Sequence, residues 1–159
     1  MLLNIFNTGF LNSNTTVTTM GGNTKSSSVE LSDLNCVKPN CHFGGYDGGA
    51  FHVVIGAGNT APTVNDYDLA DSSIMAADKM APLYRSSTYD ASTGATVSVQ
   101  WRNESSEAIT VKEVGLAYKI DYQNQYNKAA NLLAARKVLN TPVTIQPGET
   151  YVFSYNIRV

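Results

Sequence analysis

The segment that most restricts the fold is the closing one, TYVFSYNIRV. Tyr151, Phe153, Tyr155, Ile157 and Val159 share one parity, while Val152, Ser154, Asn156 and Arg158 share the other. A period of two over that length describes a half-buried β-strand, because successive side chains of an extended chain point to opposite faces. Immediately before it, Gln146-Pro147-Gly148-Glu149 follows PVTI and has the Pro-Gly signature of a turn, so the spacing predicts a hairpin there.

The same reading extends upstream. In ATVSVQWRN, Val97, Val99 and Trp101 alternate with Ser98, Gln100 and Arg102. In EAITVKEVGLAYKI, Ile109 and Val111 share one parity, whereas Val114, Leu116, Tyr118 and Ile120 share the other. A strand that changes its buried parity needs a β-bulge near Lys112-Glu113, or else both faces of its later part are covered. The Ala/Leu-rich stretch NKAANLLAARKVL lacks a helix cap and a Gly stop, so residues 132–139 read as a strand. Trp101, Val99, Leu116, Phe153 and Tyr155 are expected in one buried cluster. The expected fold is all-β, an antiparallel β-sandwich of jelly-roll type with an extended N-terminal arm.

Composition agrees with short strands and polar turns. Only 15% of the 159 residues are charged, the net charge is -2, and nine are tyrosine. Such a balance provides no basic surface for nucleic acid, and no segment has the length and apolarity of a membrane-spanning helix. The chain divides into an arm or linker over residues 1–28 and a single β domain over residues 29–159. The first eleven residues hold Leu2, Leu3, Ile5, Phe6, Phe10 and Leu11, read as a partner-binding segment, since such a cluster left in water is a sticky patch. Residues 12–28, rich in Asn, Ser, Thr and Gly, read as a flexible linker or an extended arm ordered by a partner. FGGYDGGAF, residues 43–51, reads as a mobile turn.

Candidate chemistry is sparse. In VVIGAGNTAPTVNDYDLAD, Gly56-x-Gly58 lacks the third glycine of a dinucleotide fingerprint and the Lys-Ser/Thr of a phosphate loop. Gly56 and Gly58 are read as a tight turn, Pro62 as a loop initiator, and Asp66 and Asp68 as loop-fixing carboxylates bonded to nearby backbone N–H groups. Asp66, Asp68 and Asp71 could be considered for calcium, but the spacing lacks the glycine and distal Glu of an EF-hand. Cys36, Cys41, His42 and His52 are the one zinc-like grouping. Their spacing is loose for zinc, and a Cys36–Cys41 disulfide or two plain thiols fit better, thiols best in a reducing cytoplasm. Glu104, Glu107 and Glu113 read as surface residues. No nucleophile motif occurs, so no enzyme class and no cofactor is expected. Tyr46, Tyr84, Tyr89, Tyr122 and Tyr126 keep open a carbohydrate-binding module.

Over residues 53–159 the order of the pieces is similar to small β-rich virion proteins of tailed bacteriophages. Those proteins place a Gly-x-Gly…Pro-Thr…Asp-Tyr-x-Leu segment before a Glu-Val-Gly-Leu strand, a Leu-Leu-Ala-x-Arg strand and a closing Pro-Gly-Glu hairpin. The resemblance implies a non-enzymatic particle component, made in the host cytoplasm and located in the virion. Its expected partners are other virion proteins and copies of itself. Capsid decoration is the first expectation; a tail, neck or fibre-adaptor subunit is the alternative.

Overall fold

The computed structural model describes residues 15–27, 51–90, 94–121 and 129–157. Within them the chain is all-β, with one 3-10 turn at Ser73–Met75. A two-stranded hairpin, β1 (Thr15–Thr18) and β2 (Thr24–Ser27), precedes two three-stranded antiparallel sheets. One sheet has the order β3-β6-β7, from Phe51–Gly56, Ile109–Asp121 and Ala129–Ile145. The other has the order β4-β5-β8, from Met80–Asp90, Gly94–Asn103 and Thr150–Ile157.

Both sheets bury their apolar parity in one core. Val53, Ile55, Val111, Val114 and Leu116 of the first sheet meet Val97, Val99, Trp101, Phe153 and Ile157 of the second, with Tyr155 half-buried at the margin. The cluster expected from alternation is therefore present. Residues 132–139 lie inside strand β7, as their lack of helix signals implies.

The parity change in β6 has the expected origin. The β6–β7 ladder runs from Val111↔Val143 to Glu113↔Val138, skipping Lys112 on one strand and residues 139–142 on the other. Beyond this irregularity Val114 and Leu116 face the shared core, while Ala117 joins Val54, Leu69 and Leu133 in a second, smaller cluster. Both explanations for the pattern thus hold at once: a bulge, and a later part covered on both faces.

Two sequence expectations are corrected. The Pro-Gly turn forms, with Glu149 N donating to Gln146 O at 3.0 Å and Gly148 at φ 76°. Its flanking strands do not pair as a hairpin, however; β7 belongs to one sheet and β8 pairs with β5 in the other. The physical reason is Asn103, fully buried at the end of β5. Its backbone exchanges hydrogen bonds with the turn, Asn103 N to Glu149 O and Gly148 N to Asn103 O. Its side-chain Nδ2 donates to Glu107 O at 2.7 Å and Ile145 O at 2.9 Å, and its Oδ1 accepts from Ser105 N and Oγ. One amide thereby ties together the two connections, β5 to β6 and β7 to β8, that pass between the sheets.

The second correction concerns residues 12–28. Part of this stretch is the β1–β2 hairpin, closed by Gly22 N to Thr19 O at 2.9 Å, with positive φ at Gly21 and Gly22. The hairpin turn is docked on its own domain. Met20 N donates to Asn131 O, Gly21 N donates to Asp68 Oδ2 at 2.8 Å, and the Met20 side chain packs on the second cluster. Residues 1–14, with the six apolar side chains of the expected partner-binding segment, lie outside the described residues.

The outer faces of the two sheets differ. That of β3-β6-β7 is covered by residues 57–71 and the hairpin turn. That of β4-β5-β8 presents the cross-strand rows Tyr84–Gln100–Val152, Ser86–Ser98–Ser154 and Thr88–Thr96–Asn156, followed on the same parity by exposed Arg102 with Thr150.

Candidate functional site

The loop after β3 is the most constructed part of the molecule. Gly56 pairs directly with Glu113 across the β3–β6 ladder. With no side chain on Gly56, the Glu113 side chain lies over it and under the loop, and its carboxylate is completely buried. Oε1 accepts from Gly58 N at 3.1 Å and Asp71 N at 2.9 Å, and Oε2 accepts from Ala70 N at 3.2 Å. Ala57 N donates to Asp71 O at 2.9 Å, so both ends of the loop close on each other above the carboxylate. This is the geometry of an Ω-loop sewn at its neck.

A buried carboxylate needs a counter-charge. Arg136 of β7 supplies it, with Nη1 donating to Glu113 Oε2 at 2.9 Å. Arg136 pairs with Gly115 in the ladder, two places from Glu113, and such diagonal neighbours reach each other with long side chains. Its Nη2 donates to Thr60 O at 2.6 Å. Its Nε stands 3.0 Å from Asp66 Oδ2, an ion pair without a directed hydrogen bond. Asp66 in turn accepts from Thr63 N and Thr63 Oγ1. Burial alone would raise the Asp66 carboxyl, but the Thr63 hydrogen bonds and the Arg136 charge outweigh it and hold it below its ordinary value. Hydrogen bonds from Ser73 likewise hold Asp71 low.

The glycines of this loop have a different reason from the one the sequence suggested. Positive φ occurs at Gly21, Gly22, Gly94 and Gly148 among the described glycines, not at Gly56 or Gly58. What requires glycine is close approach: a Cβ on Gly58 would stand 2.5 Å from both Ala70 Cβ and Glu113 Oε1. Pro62 lies exposed in the loop, and Asp66 and Asp68 both fix backbone. Asp68 accepts from the neighbouring Leu69 N and also from Gly21 N, forty-seven positions away in sequence. Asp66, Asp68 and Asp71 are therefore aimed at three different partners. Among the described residues no group of three or more His, Cys, Asp or Glu side chains is placed to hold a metal. His52 lies in β3; Cys36, Cys41 and His42 fall outside the described residues.

Glu113 corrects the surface expectation outright. Glu104 and Glu107 are exposed at the β5–β6 connection, whereas Glu113 is buried beneath the loop. Sequence offered little signal, because Glu113 stands beside Lys112 and Arg136 beside Lys137, as charges on a solvated strand face also do.

Two clefts flank the Asp66–Arg136 pair. One, of about 560 Å3, runs between residues 62–66, residues 133–138 of β7, and Tyr155. Burial pushes the Tyr155 phenol above its ordinary value. The other, of about 580 Å3, lies between Gly21 and residues 65–70. Both share the paired Asp66 and Arg136, Lys137 lines the first and Asp68 the second, and the residues lining them include no histidine or cysteine. Of the tyrosines considered for sugar stacking, Tyr84 is exposed on the β4-β5-β8 sheet, Tyr89 belongs to β4, and Tyr46, Tyr122 and Tyr126 lie outside the described residues. No family model matches the chain, and no curated protein or solved structure matches it either.

Proposed function

We propose that the chain is a non-enzymatic structural subunit of a tailed-bacteriophage virion, an antiparallel jelly-roll sandwich with an N-terminal arm that decorates the capsid. One observation supports this reading above others. Three of the four pieces that carry the resemblance meet in space: the Gly56-x-Gly58 loop with Asp66, the strand beginning Glu113-Val114-Gly115-Leu116, and Leu132-Leu133-Ala134-Ala135-Arg136 are joined by one buried ion-pair network, while the Pro147-Gly148 turn lies outside it and its strands do not pair as a hairpin. Their order in sequence is thus that of a single structural unit. Each interior charge of that unit is spent on fixing backbone, which suits a rigid surface module repeated on a lattice, where many weak contacts act together.

The test is the copy number of the chain in purified particles. A head decoration protein is present in numbers set by the capsid lattice, while a tail, neck or fibre adaptor appears in small multiples of three or six. Absence from particles would end the virion reading. Within it, removal of residues 1–11 is expected to leave a folded β domain that no longer incorporates. Incorporation at full occupancy would move the docking surface onto the β domain.

A further inference from the structure

We propose that the outer edge of β7, over residues 133–138, is a slot that seats the N-terminal segment of a second copy as an added strand. This seat rests on the reading of residues 2–11 as a partner-binding segment, and the copy number in particles tests the virion reading separately.

β7 is an edge strand of the β3-β6-β7 sheet and, at 17 residues, the longest strand among the described residues. Among those residues no strand pairs with its outer edge. An open edge presents a row of N–H and C=O groups on which another chain can add a strand. This edge is already used at one point, where Asn131 O accepts from Met20 N of the hairpin turn at 2.9 Å. Just beyond it, residues 133–138 line the cleft of about 560 Å3. Residues 62–66 form one wall of that cleft and Tyr155 of β8 the other, so the opening is a strand-wide slot. Val64, Leu133, Ala135, Val138 and Tyr155 make it apolar, and its Asp66 and Arg136 are already paired. The remaining edges suit a strand less well. Pro82 and the register shift beside it interrupt β4, β3 has six residues, and the β8 edge at Tyr155 opens on the same cleft.

The chain itself selects the occupant. Residues 1–14 hold six large apolar side chains and no charged one, the first charged side chain in the sequence being Lys25. Such a segment enters a dehydrated slot without burying a charge. The place where it begins points to a second copy. β1 and β2 form a two-stranded sheet of their own, whose turn makes the hydrogen bonds to the domain through Met20 N and Gly21 N. Thr15 pairs with Ser27 at the opposite end, so the chain before β1 departs from the end of the hairpin remote from that docked turn. Each copy carries one segment and one slot, and two copies close a reciprocal pair. A strand seated between two walls gives up on the order of 100 Å2 per residue. Six residues in each of two slots then bury ~1,200 Å2 on the strands alone, the size of a stable complex.

Sedimentation equilibrium of the purified full chain tests this, with wild type expected to be dimeric by about 100 μM. Val64→Lys places an ammonium on the slot wall at a position 54% exposed, and should weaken association at least about tenfold without lowering the melting temperature. Val152→Lys, at a position 53% exposed in β8, should leave association unchanged. Ile5→Asp together with Phe6→Asp charges both faces of the segment and should abolish it. The deciding measurement mixes the two defective chains. The Asp variant keeps its slot and the Val64→Lys variant keeps its segment, so the mixture should recover a one-to-one pair that neither forms alone at that concentration. A wild type that stays monomeric, association undiminished by either defect, equal loss in Val152→Lys, or a mixture that fails to pair overturns the proposal.

Discussion

Replacing Arg136 with methionine removes the counter-charge of a fully buried carboxylate while keeping much of the side-chain volume. At the observed 2.9 Å, and with an effective dielectric of about 20, the attraction between Arg136 and Glu113 is about 6 kcal/mol. Most of that offsets the dehydration of two ions, so the intact pair adds little net stability relative to a well-packed apolar pair. Breaking half of it is a different matter. Arg136→Met leaves Glu113 charged under the loop with only three backbone N–H partners, and frees Thr60 O and Asp66 as well. The expected cost is about 3–5 kcal/mol, which lowers the melting temperature by about 6–20 °C for a chain of this size. Glu113→Gln should cost a similar amount, because an amide NH2 would face the Arg136 guanidinium. The double variant relieves that conflict and should be less destabilised than the sum of the singles by about 1–3 kcal/mol. Urea unfolding followed through Trp101, the one tryptophan and 6% exposed, reads this directly. Hydrogen exchange at the Gly58, Ala70 and Asp71 amides should accelerate in step. Arg136→Met within about 1 kcal/mol of wild type, or a double variant costing the full sum, would refute the role given to the ion pair.

Gly58→Ala should destabilise by about 1–3 kcal/mol, since its new methyl meets Ala70 Cβ and Glu113 Oε1 at 2.5 Å; a melting temperature at or above wild type would contradict the close approach. Asn103→Ala should cost about 2–4 kcal/mol by removing a donor from Glu107 O and from Ile145 O and the acceptor of Ser105 N at the corner between the sheets, and a change below about 0.5 kcal/mol would show that the corner is held by other means. The folded Asp66 and Asp71 carboxyls lie below their unfolded value of 3.8, so their contribution is present above that value and is lost as pH falls through the lower folded values. Melting temperature measured across acid pH should fall in that window for wild type and fall less steeply for Asp66→Asn and Asp71→Asn; parallel curves would remove these carboxylates from the acid transition.

Alternation by itself determined β5, β6 and β8, while β1, β2 and β4 were not expected from it. Val97, Val99, Trp101, Phe153 and Tyr155 could be assigned to a buried face from parity, because a pleated chain turns every second side chain the same way. The irregularity at Lys112 was legible for the same reason: two parities in one strand cannot share a face without an extra residue. The Pro147-Gly148 turn was legible as a turn, since its backbone angles are local properties of proline and glycine. Its partner strands were not, because the choice of β5 over β7 for β8 rests on Asn103, forty-odd positions away, and on the two sheets closing over one core.

Only the tertiary structure decided what the charged residues do. Glu113 looks like an ordinary exposed residue until Gly56 is placed opposite it and Arg136 diagonal to it. Asp66, Asp68 and Asp71 look like a cluster until each is seen to face a different partner. Hydrophobic parity is written into every few residues and survives without knowledge of the fold. Whether a carboxylate is dehydrated, and what compensates it, depends on groups brought together from separate strands, so that information exists only once the chain has folded.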